Sequence, residues 1–495
     1  MSSADPTDAR LDDRTRWRAF AVCVAVAALT ILDLSKVNVG LPSIEQALDA
    51  GPTALQLIVA GYALAFGLIL VPAGRYGDLH SRRRMFMIGL SVFGAASLAC
   101  AVAPNVGILI GGRILQGIAA GLLMPQVIGL IQQLFVGKER GRAFGLFGAI
   151  IGLSTAFGPT LGGLLIAIGG PEDGWRLLFW MNVPLAIILL PIAARLLPKQ
   201  QPHEAGAGSL DPVGIVFLGL AVLSLMLPFV LTTGSPGDDP ARWWLLVAFA
   251  VFAGLFAWWE GRYQRAGKTP VVDFSLFKLG SYRNGVLIST TYFAAMPATF
   301  LTLTLFVQQG LGLEPVFAGM ITIPFALASA VSSWLSGRVV DRLGRPLVVG
   351  GLVLVVVGFS LNSLLAFITP PEITPYAMGA AMLLAGIGGG AVISPNQTLM
   401  LADIPVASGG VAGSIGQLGQ RIGTAVGLAA ATATFYATVY SENDGGASGA
   451  SLDVYHDAYR NSTLVTIGFV VVALVFASLD ARSRKVAAAE PDSSK

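Results

Sequence analysis

The sequence contains little charge. Only 12% of its 495 residues are aspartate, glutamate, lysine or arginine, whereas soluble domains contain roughly 25%. Hydrophobic residues make up 54% of the chain, and the mean hydropathy is +0.72. A soluble protein could not cover so many apolar side chains with polar surface. The composition therefore excludes a soluble protein and indicates one that is embedded in a lipid bilayer.

The residues that build common catalytic and metal sites are also scarce. The chain has two cysteines, Cys23 and Cys100, which lie in apolar stretches without metal-ligand spacing, and only three histidines. It has no G-x-x-x-x-G-K-[ST] loop, so we do not expect ATP to drive its activity. The net charge of +3 includes no basic run, so nothing indicates a nucleic-acid partner. We therefore expect no enzyme, no metal and no cofactor.

Long apolar runs are what the sequence has instead. Fourteen segments contain the roughly 20 apolar residues that a helix needs to cross the hydrocarbon core of a bilayer. We therefore predict an all-α membrane protein. The predicted spans are 18–40, 55–74, 85–103, 106–126, 143–165, 177–197, 212–233, 242–261, 284–307, 317–337, 347–369, 375–398, 408–438 and 462–480.

Lysine and arginine are distributed unevenly between the predicted loops. With the N-terminus in the cytoplasm, 25 of the 31 lysines and arginines fall in cytoplasmic segments, and only Arg176, Arg242 and Arg460 fall in outside loops. This excess follows the positive-inside rule. We predict a multi-pass protein of the inner or plasma membrane with both termini in the cytoplasm.

Two similar loops divide the chain into equivalent halves. GRYGDLHSRRR at 74–84 follows the second span, and GRVVDRLGRP at 337–346 follows the tenth. If each loop follows the second helix of a six-helix half, spans seven and eight are an inserted pair, and the two parallel repeats indicate a transporter. The predicted organisation is an N-terminal tail (1–17), an N-terminal half (18–197), a linker (198–211), the inserted pair (212–261), a second linker (262–283), a C-terminal half (284–480) and a C-terminal tail (481–495).

Each repeated loop combines a glycine, an aspartate and arginines. The glycine allows two helices to approach closely, and an aspartate near a helix N-terminus can cap that helix or pair with an arginine. We predict that both loops hold one conformation until the halves move. The alternative is a tight basic turn that only satisfies topology. The residues concerned are Gly74, Asp78, Arg82 and Arg83 in the first loop and Gly337, Asp341 and Arg345 in the second.

The fifth predicted span is rich in small residues. Gly148, Gly152, Gly158 and Gly162 include four-residue spacings that place small faces on one side of a helix, where a neighbouring helix can pack closely. Pro159 removes a backbone hydrogen bond and predicts a kink, and Gly163 extends the glycine-rich stretch. We predict a pivot or a seal between the halves. The alternative is the small-residue packing found in any helical membrane protein.

Charged residues inside predicted spans are candidates for function, because a charge in the hydrocarbon core costs about 3 kcal/mol or more unless it is paired or hydrated. Asp33 is the one carboxylate well inside a predicted span, and Lys36 follows it on the same helical face. We predict that Asp33 carries a proton and that Lys36 and Arg113 serve coupling or substrate contact. The alternative is a structural ion pair between Asp33 and Lys36, because a nearby cation stabilises the ionised carboxylate.

Three further polar residues lie in predicted spans. We interpret Arg421 as structural. Asn38 and Gln116 are expected to support the bundle by hydrogen bonds between helices.

Four segments resemble the major facilitator superfamily, and in particular its branch of drug:proton antiporters with fourteen spans. They are RILQGIAAG at 113–121, GAIIGLSTAFGPTLGG at 148–163, WRLLFWMNVP at 175–184 and LDLSKVNVGLP at 32–42. The resemblance implies two six-helix halves plus two inserted helices. It also implies a monomeric secondary transporter that exports drugs or other amphiphilic small molecules by alternating access, driven by the proton gradient.

Lys36 departs from this pattern, because the family is expected to have an aliphatic residue there. That departure leaves open an exporter of a specific anionic or zwitterionic metabolite that would use Lys36 and Arg113. An alternative of another class is a membrane-embedded sensor or channel. The repeated halves and their two loops favour transport, because a channel would be expected to show a selectivity filter or a ring motif.

Overall fold

The computed structural model describes residues 12–199, 211–232, 238–443 and 450–489, and within these ranges the chain is helical with no strand. It contains fourteen helical segments that are long and apolar enough to cross a membrane, which confirms the predicted number. The helices are α1 (Asp13–Leu48), α2 (Pro52–Leu79), α3 (Arg82–Ala101), α4 (Val106–Leu134), α5 (Gly137–Trp180), α6 (Asn182–Leu196), α7 (Pro212–Val230), α8 (Leu245–Arg265), α9 (Gly280–Leu305), α10 (Pro315–Leu343), α11 (Arg345–Ile368), α12 (Thr374–Met400), α13 (Gly409–Glu442) and α14 (Leu452–Ala489).

The fifth and sixth crossings are divided by a glycine. Gly170 has a φ of +80°, a conformation that glycine adopts without the steric cost other residues meet. The fifth crossing therefore covers Gly137–Gly170 and the sixth Glu172–Leu196, so both are longer than predicted. The backbone at Pro159, where we predicted a kink, keeps helical dihedral angles, and Gly170 is the residue of this helix with non-helical ones.

The two halves repeat the same helix packing. In the first half, α1 packs on α5, α2 on α4, and α3 on both α4 and α6. In the second half, α9 packs on α13, α10 on α12, and α11 on both α12 and α14. Each pair in one half has its counterpart eight helices later, which confirms two six-helix halves separated by an inserted pair. The exact boundaries predicted for the halves, linkers and tails remain predictions, and parts of both tails and of 198–211 lie outside the described residues.

The inserted pair attaches to the bundle through α7. Gly219 of α7 faces Leu68 of α2, whereas α8 buries only two residues, Phe256 and Glu260. Trp259 Nε1 of α8 donates a 2.7 Å hydrogen bond to Oδ2 of Asp211, the residue that caps α7. At the other end of the pair, the rings of Phe229 and Trp243 pack edge to face, so the two helices contact each other at both ends.

The halves touch at the end of the bundle where α1 begins and α14 ends, which we call the terminal end. A β-carbon on Gly74 of α2 would lie 2.8 Å from the carbonyl oxygen of Gly410 of α13. A β-carbon on Gly337 of α10 would lie 2.7 Å from the α-carbon of Gly145 of α5. Glycine at each position lets the two backbones approach this closely. The bundle is closed at the terminal end by these two contacts, one from each repeated loop.

Candidate transport site

A cavity of about 610 Å³ lies between the two halves, within the usual size range of small-molecule sites. Its wall is formed by helices α1, α2, α4 and α5 of the first half, by α7, and by α9, α12 and α13 of the second half. The lining extends to Gln56 in the first turn of α2 and to Thr232 beyond α7, at the end opposite the terminal end. The cavity therefore extends towards the end of the bundle opposite the terminal end.

The wall of the cavity is mostly apolar. Four phenylalanines contribute to it, Phe144 and Phe147 from α5, Phe229 from α7 and Phe293 from α9. Such a wall suits the apolar body of an amphiphilic molecule, because burying apolar surface is favourable at about 25 cal/mol per Å². Position and hydrogen bonding then depend on the few polar side chains that the wall contains.

Two residues that we interpreted as supporting the bundle lie on this wall. Arg421 is the one charged side chain among the described residues that line the cavity, although we had expected a structural role. Asn38 also faces the cavity and is exposed. No hydrogen bond links Asn38 to another described residue, so the predicted bond across helices is absent.

Asp33, Lys36 and Arg113 meet in a fully buried cluster in the first half. Arg113 Nη1 donates a 2.6 Å hydrogen bond to Asp33 Oδ2. Lys36 Nζ lies 3.5 Å from Asp33 Oδ1. All three side chains have 0% exposure, so the cluster depends on its internal partners for stability.

The cluster includes a fourth member that we did not predict. Asn182 of α6 donates a 2.6 Å hydrogen bond to Asp33 Oδ1 and accepts one of 2.6 Å from Lys36 Nζ. The amide therefore bridges the carboxylate and the ammonium more closely than these approach each other. Asn182 lies in the WRLLFWMNVP segment that resembled the antiporter branch, and that position was the only signal for it.

The surroundings of the cluster orient Arg113. Its Nη1 also donates to Gln116 Oε1 at 2.9 Å, and Gln116 Nε2 donates to Ser97 Oγ at 2.7 Å. The Arg113 guanidinium carbon lies 4.4 Å from the ring centroid of Tyr62, which is a cation–π distance. Gln116 therefore links α4 to α3, in the cross-helix role that we expected for it.

The cluster lies beside the cavity and outside its wall. Leu34 and Ser35 line the cavity, whereas Asp33 and Lys36 on the same helix do not. Arg113 does not line the cavity either. In this conformation the three residues are too far inside the first half to line the cavity. Lys36 and Arg113 therefore do not occupy the position that a substrate contact, as we considered for them, would need.

The first repeated loop joins the two halves. Gly410 N and Val411 N, at the start of α13, donate hydrogen bonds of 3.1 and 2.8 Å to the carboxylate of Asp78. Arg82 Nη2 donates to Asp78 Oδ1 at 2.6 Å and to the carbonyl oxygen of Val406 at 2.5 Å. A carboxylate at a helix N-terminus is stabilised by the exposed amide groups and the helix dipole. Arg83 instead donates to the carbonyl oxygen of Ala194 within the first half.

The second repeated loop is built differently. Asp341 is exposed, so the aspartate does not reproduce the position of Asp78. Arg345 is buried and pairs with Asp480 of α14, and its Nη1 donates to Asn396 Oδ1 at 2.5 Å. We predicted that both loops hold one conformation until the halves move, but Arg345 ties together helices of one half. Asp480 is the last residue of the fourteenth predicted span, and its side chain is buried.

The difference between the loops predicts different effects of removing each charge. Asp78→Asn is expected to reduce the transport rate about tenfold, because hydrogen bonds to a charged group contribute roughly 1.5–3 kcal/mol. The affinity for substrate should change less than about twofold, since Asp78 lies outside the cavity. The matched control is Asp341→Asn, which should stay close to wild type because Asp341 is exposed. The measurement is the initial transport rate and the substrate affinity of each variant. A proportional loss of both in Asp78→Asn argues against a role of this loop in holding one conformation.

The glycines of α5 contact different halves along the helix. Near the terminal end, a β-carbon on Gly148 would lie 2.6 Å from Ser333 Oγ of α10 in the second half. Further along, a β-carbon on Gly158 would lie 2.7 Å from Cβ of Ser35, and one on Gly162 would lie 2.9 Å from the carbonyl oxygen of Lys36. This helix therefore contacts the other half at one end and the cluster-bearing α1 at the other.

Two glycines of the same stretch have room around them. A β-carbon on Gly152 would lie 4.0 Å from Ser329 Oγ, and one on Gly163 would meet nothing within 4 Å.

Residues 22–428 match a family profile described as Major Facilitator Superfamily. The chain belongs to the major facilitator superfamily. Members of this superfamily are membrane transporters, and the fourteen crossings fit a multi-pass transporter. The geometry above is therefore that of a transporter, with a central cavity between two similar halves.

Curated relatives within the superfamily match most of the chain. It is 32% identical over 413 residues to a probable actinorhodin transporter of Streptomyces coelicolor, covering 82% of this chain and 70% of that protein. It is 33% identical over 414 residues to a puromycin resistance protein of Streptomyces alboniger, covering 83% and 80%. A multidrug efflux pump of Mycolicibacterium smegmatis is 28% identical over 84% of this chain and 80% of that protein.

Solved structures share the fold. The TM-score is 0.65 with the human organic anion transporter MFSD10, at 15% identity, over 93% of this chain and 99% of that one. It is 0.63 with the proton:xylose symporter XylE, at 16% identity, over 94% and 95%. At these identities the likeness shows the fold alone, and it confirms the predicted major-facilitator architecture.

Proposed function

We propose that this transporter is a proton-coupled exporter of amphiphilic small molecules that works by alternating access. The observation that carries the proposal is the apolar cavity between the halves, which is closed at the terminal end and reaches the opposite end. The names of the relatives support export, because they include a puromycin resistance protein and a multidrug efflux pump. The two repeated halves supply the bodies that would rock about the cavity.

The orientation of the protein sets the direction of transport. The excess of lysine and arginine in the loops of the terminal end supports a cytoplasmic position for that end and for both termini. In this orientation the cavity faces outward, ready to release an exported molecule. Loading from the cytoplasm or the inner leaflet would require the terminal end to open, which breaks the contacts of Asp78 with α13 and of Arg82 with Val406 just before α13.

The buried cluster supplies a site for the proton. Its two cations and one carboxylate leave one excess positive charge when all three groups are ionised. A change of one proton on this cluster therefore alters a charge in a fully buried place, where it acts strongly on its neighbours. The effect can reach the cavity through α1, because Leu34 and Ser35 of that helix line the cavity.

We assign the coupling proton to Asp33, as part of this cluster. Protonation of Asp33 would weaken its charged contacts with Arg113 and Lys36, and ionisation would restore them. These contacts join α1 to α4 directly, and to α6 through Asn182. A proton entering from outside could thus loosen the packing of α1 while the cavity faces outward.

Inverted membrane vesicles from an expressing strain test this function. A susceptibility panel against a vector control selects a fluorescent compound that the strain resists. We expect vesicles with an acidic interior to accumulate this compound, and dissipation of the pH gradient by nigericin to abolish the accumulation. Accumulation that persists at the same level after nigericin, or that equals the vector control, would overturn the proposal of proton-coupled export.

A further inference from the structure

The strongest unexplained feature of the cavity is a group of buried polar atoms without partners. Arg421 Nε, Gln397 Nε2, Ser394 Oγ and Gln417 Oε1 are buried and form no hydrogen bond with any described residue. All four residues line the cavity. Buried polar groups are normally hydrogen-bonded, so a cluster of exceptions requires an explanation.

These atoms come from one side of the cavity. Ser394 and Gln397 lie on α12, and Gln417 and Arg421 lie on α13, so the second half supplies the whole group. The side chains of Ser394, Gln397 and Gln417 are 1%, 8% and 4% exposed. Phe144 and Phe147 of the first half line the same cavity. The second half thus supplies the polar atoms without partners, and the first half supplies these two aromatic rings.

Most of these atoms are hydrogen-bond donors. The Arg421 guanidinium, the Gln397 amide nitrogen and the Ser394 hydroxyl all donate, and an arginine cannot accept. Gln417 presents an oxygen, but a glutamine amide can present either atom after rotation. Hydrogen-bond donors and a cation that line the same cavity are suited to an oxygen-bearing anion.

Arg421 has no negative partner in the part of the chain that the structure describes. Its guanidinium carbon lies 4.8 Å from the ring centroid of Phe66. No aspartate or glutamate is among the described residues that line the cavity. By contrast, the buried cation Arg113 pairs with Asp33. The cavity therefore has a positive charge that a ligand can neutralise.

We propose that Arg421, with Ser394 and Gln397, forms an anion-binding subsite that selects amphiphilic substrates carrying a carboxylate, sulfonate or phenolate group. The anionic group binds on α12 and α13, and the apolar body of the substrate packs on the phenylalanines of the cavity. The export of such substrates rests on the proposed function, whereas their binding at this subsite does not. It moves the recognition of an anion from Lys36 and Arg113, which lie outside the cavity, to Arg421.

A pair of matched probes tests the subsite directly. The first is the fluorescent anion 1-anilinonaphthalene-8-sulfonate, and the second is N-phenyl-1-naphthylamine, which has the same ring system without the sulfonate. Binding of each is measured with the purified protein in lipid nanodiscs, with empty nanodiscs as the blank. We expect the wild type to bind the sulfonate at least about tenfold more tightly than the neutral probe.

Variants separate the charge of Arg421 from its packing. Arg421→Gln should weaken binding of the sulfonate about tenfold or more and that of the neutral probe less than about twofold. Arg421→Lys should retain part of the preference, because it keeps the charge but loses the forked geometry. The matched control, Thr434→Val on the same helix but outside the cavity wall, should leave both affinities within about twofold of wild type.

Three outcomes would overturn the subsite. They are equal affinity of the wild type for both probes, an equal loss for both probes in Arg421→Gln, and the absence of binding of either probe. None of these depends on transport. If vesicles still export a neutral compound in response to a pH gradient while the sulfonate shows no preference, the proposed function stands and the anion subsite fails. If the subsite binds the sulfonate but no export occurs, the anion subsite stands and the proposed function fails.

Discussion

Asp33→Asn is expected to abolish transport that is driven uphill by a pH gradient while leaving downhill exchange of substrate measurable. Asparagine keeps the size of the side chain but cannot bind and release a proton. The expected loss of gradient-driven accumulation is about 100-fold or more, comparable with the loss of an essential proton-transfer group. The measurement compares accumulation with a pH gradient and substrate exchange without one, in the same preparation of vesicles.

The structure requires a stability control for this variant. Asp33→Asn leaves Lys36 and Arg113 buried without a carboxylate, and an uncompensated buried charge costs about 3–5 kcal/mol. The amount of folded protein must therefore be measured by size-exclusion chromatography. Asp33→Glu is the matched control, because it keeps a carboxyl group that can exchange a proton. It should retain part of the gradient-driven accumulation, and full accumulation in Asp33→Asn argues against Asp33 as the proton carrier.

Leucine at Gly158 or Gly162 is expected to reduce transport more than tenfold, with a loss of stability of about 1–3 kcal/mol, the usual range for overpacking. A larger side chain at these positions would collide with Ser35 and with the backbone of Lys36. Since these residues flank or belong to the buried cluster, the collision displaces the cluster as well as α1.

The same helix offers a matched control for this prediction. Gly163→Leu adds the same side chain one residue from Gly162, where a β-carbon meets nothing within 4 Å, so its transport should stay near wild type. Initial transport rates are normalised to the amount of folded protein for all three variants. Full activity of both Gly158→Leu and Gly162→Leu would show that this face of α5 is not a required contact.

The fold could be predicted because hydropathy and charge determine it directly. Each apolar run must satisfy its backbone hydrogen bonds within the bilayer, so it forms a helix, and all fourteen runs do so. The two repeated loops indicated that the chain is divided into two halves. Helix ends were less accurate: the fifth span was predicted to end at 165, whereas the helix continues to Gly170, inside the segment that we predicted as a loop.

The candidate site could be predicted only in part. A charge in an apolar run is visible in the sequence, which is why Asp33, Lys36 and Arg113 were found. Asn182 was missed because it is neutral and 146 residues from Lys36, its hydrogen-bond partner. The side of a helix that faces a cavity depends on packing between halves, so the sequence did not place Arg421 on the cavity wall. The partners of Arg345 could not be predicted for the same reason.

The two repeated loops show that a sequence repeat does not determine which contacts its residues form. Asp78 and Asp341 occupy equivalent places in the sequence, yet only Asp78 caps a helix of the opposite half. Asp341 is exposed, and Asp480 of α14 pairs with Arg345. Equivalent sequence positions therefore predict equivalent helices but not equivalent contacts.

The most direct test of the account is gradient-driven transport by the double variant Asp33→Asn with Lys36→Leu. This variant removes one carboxylate and one ammonium, so the cluster keeps the single excess charge of the wild type, and Arg113 is the one cation left without Asp33. We predict more folded protein than for Asp33→Asn alone and downhill exchange of substrate, but no accumulation in response to a pH gradient. Gradient-driven accumulation at wild-type level would contradict the assignment of the coupling proton to Asp33 and would leave the two residues as a structural ion pair.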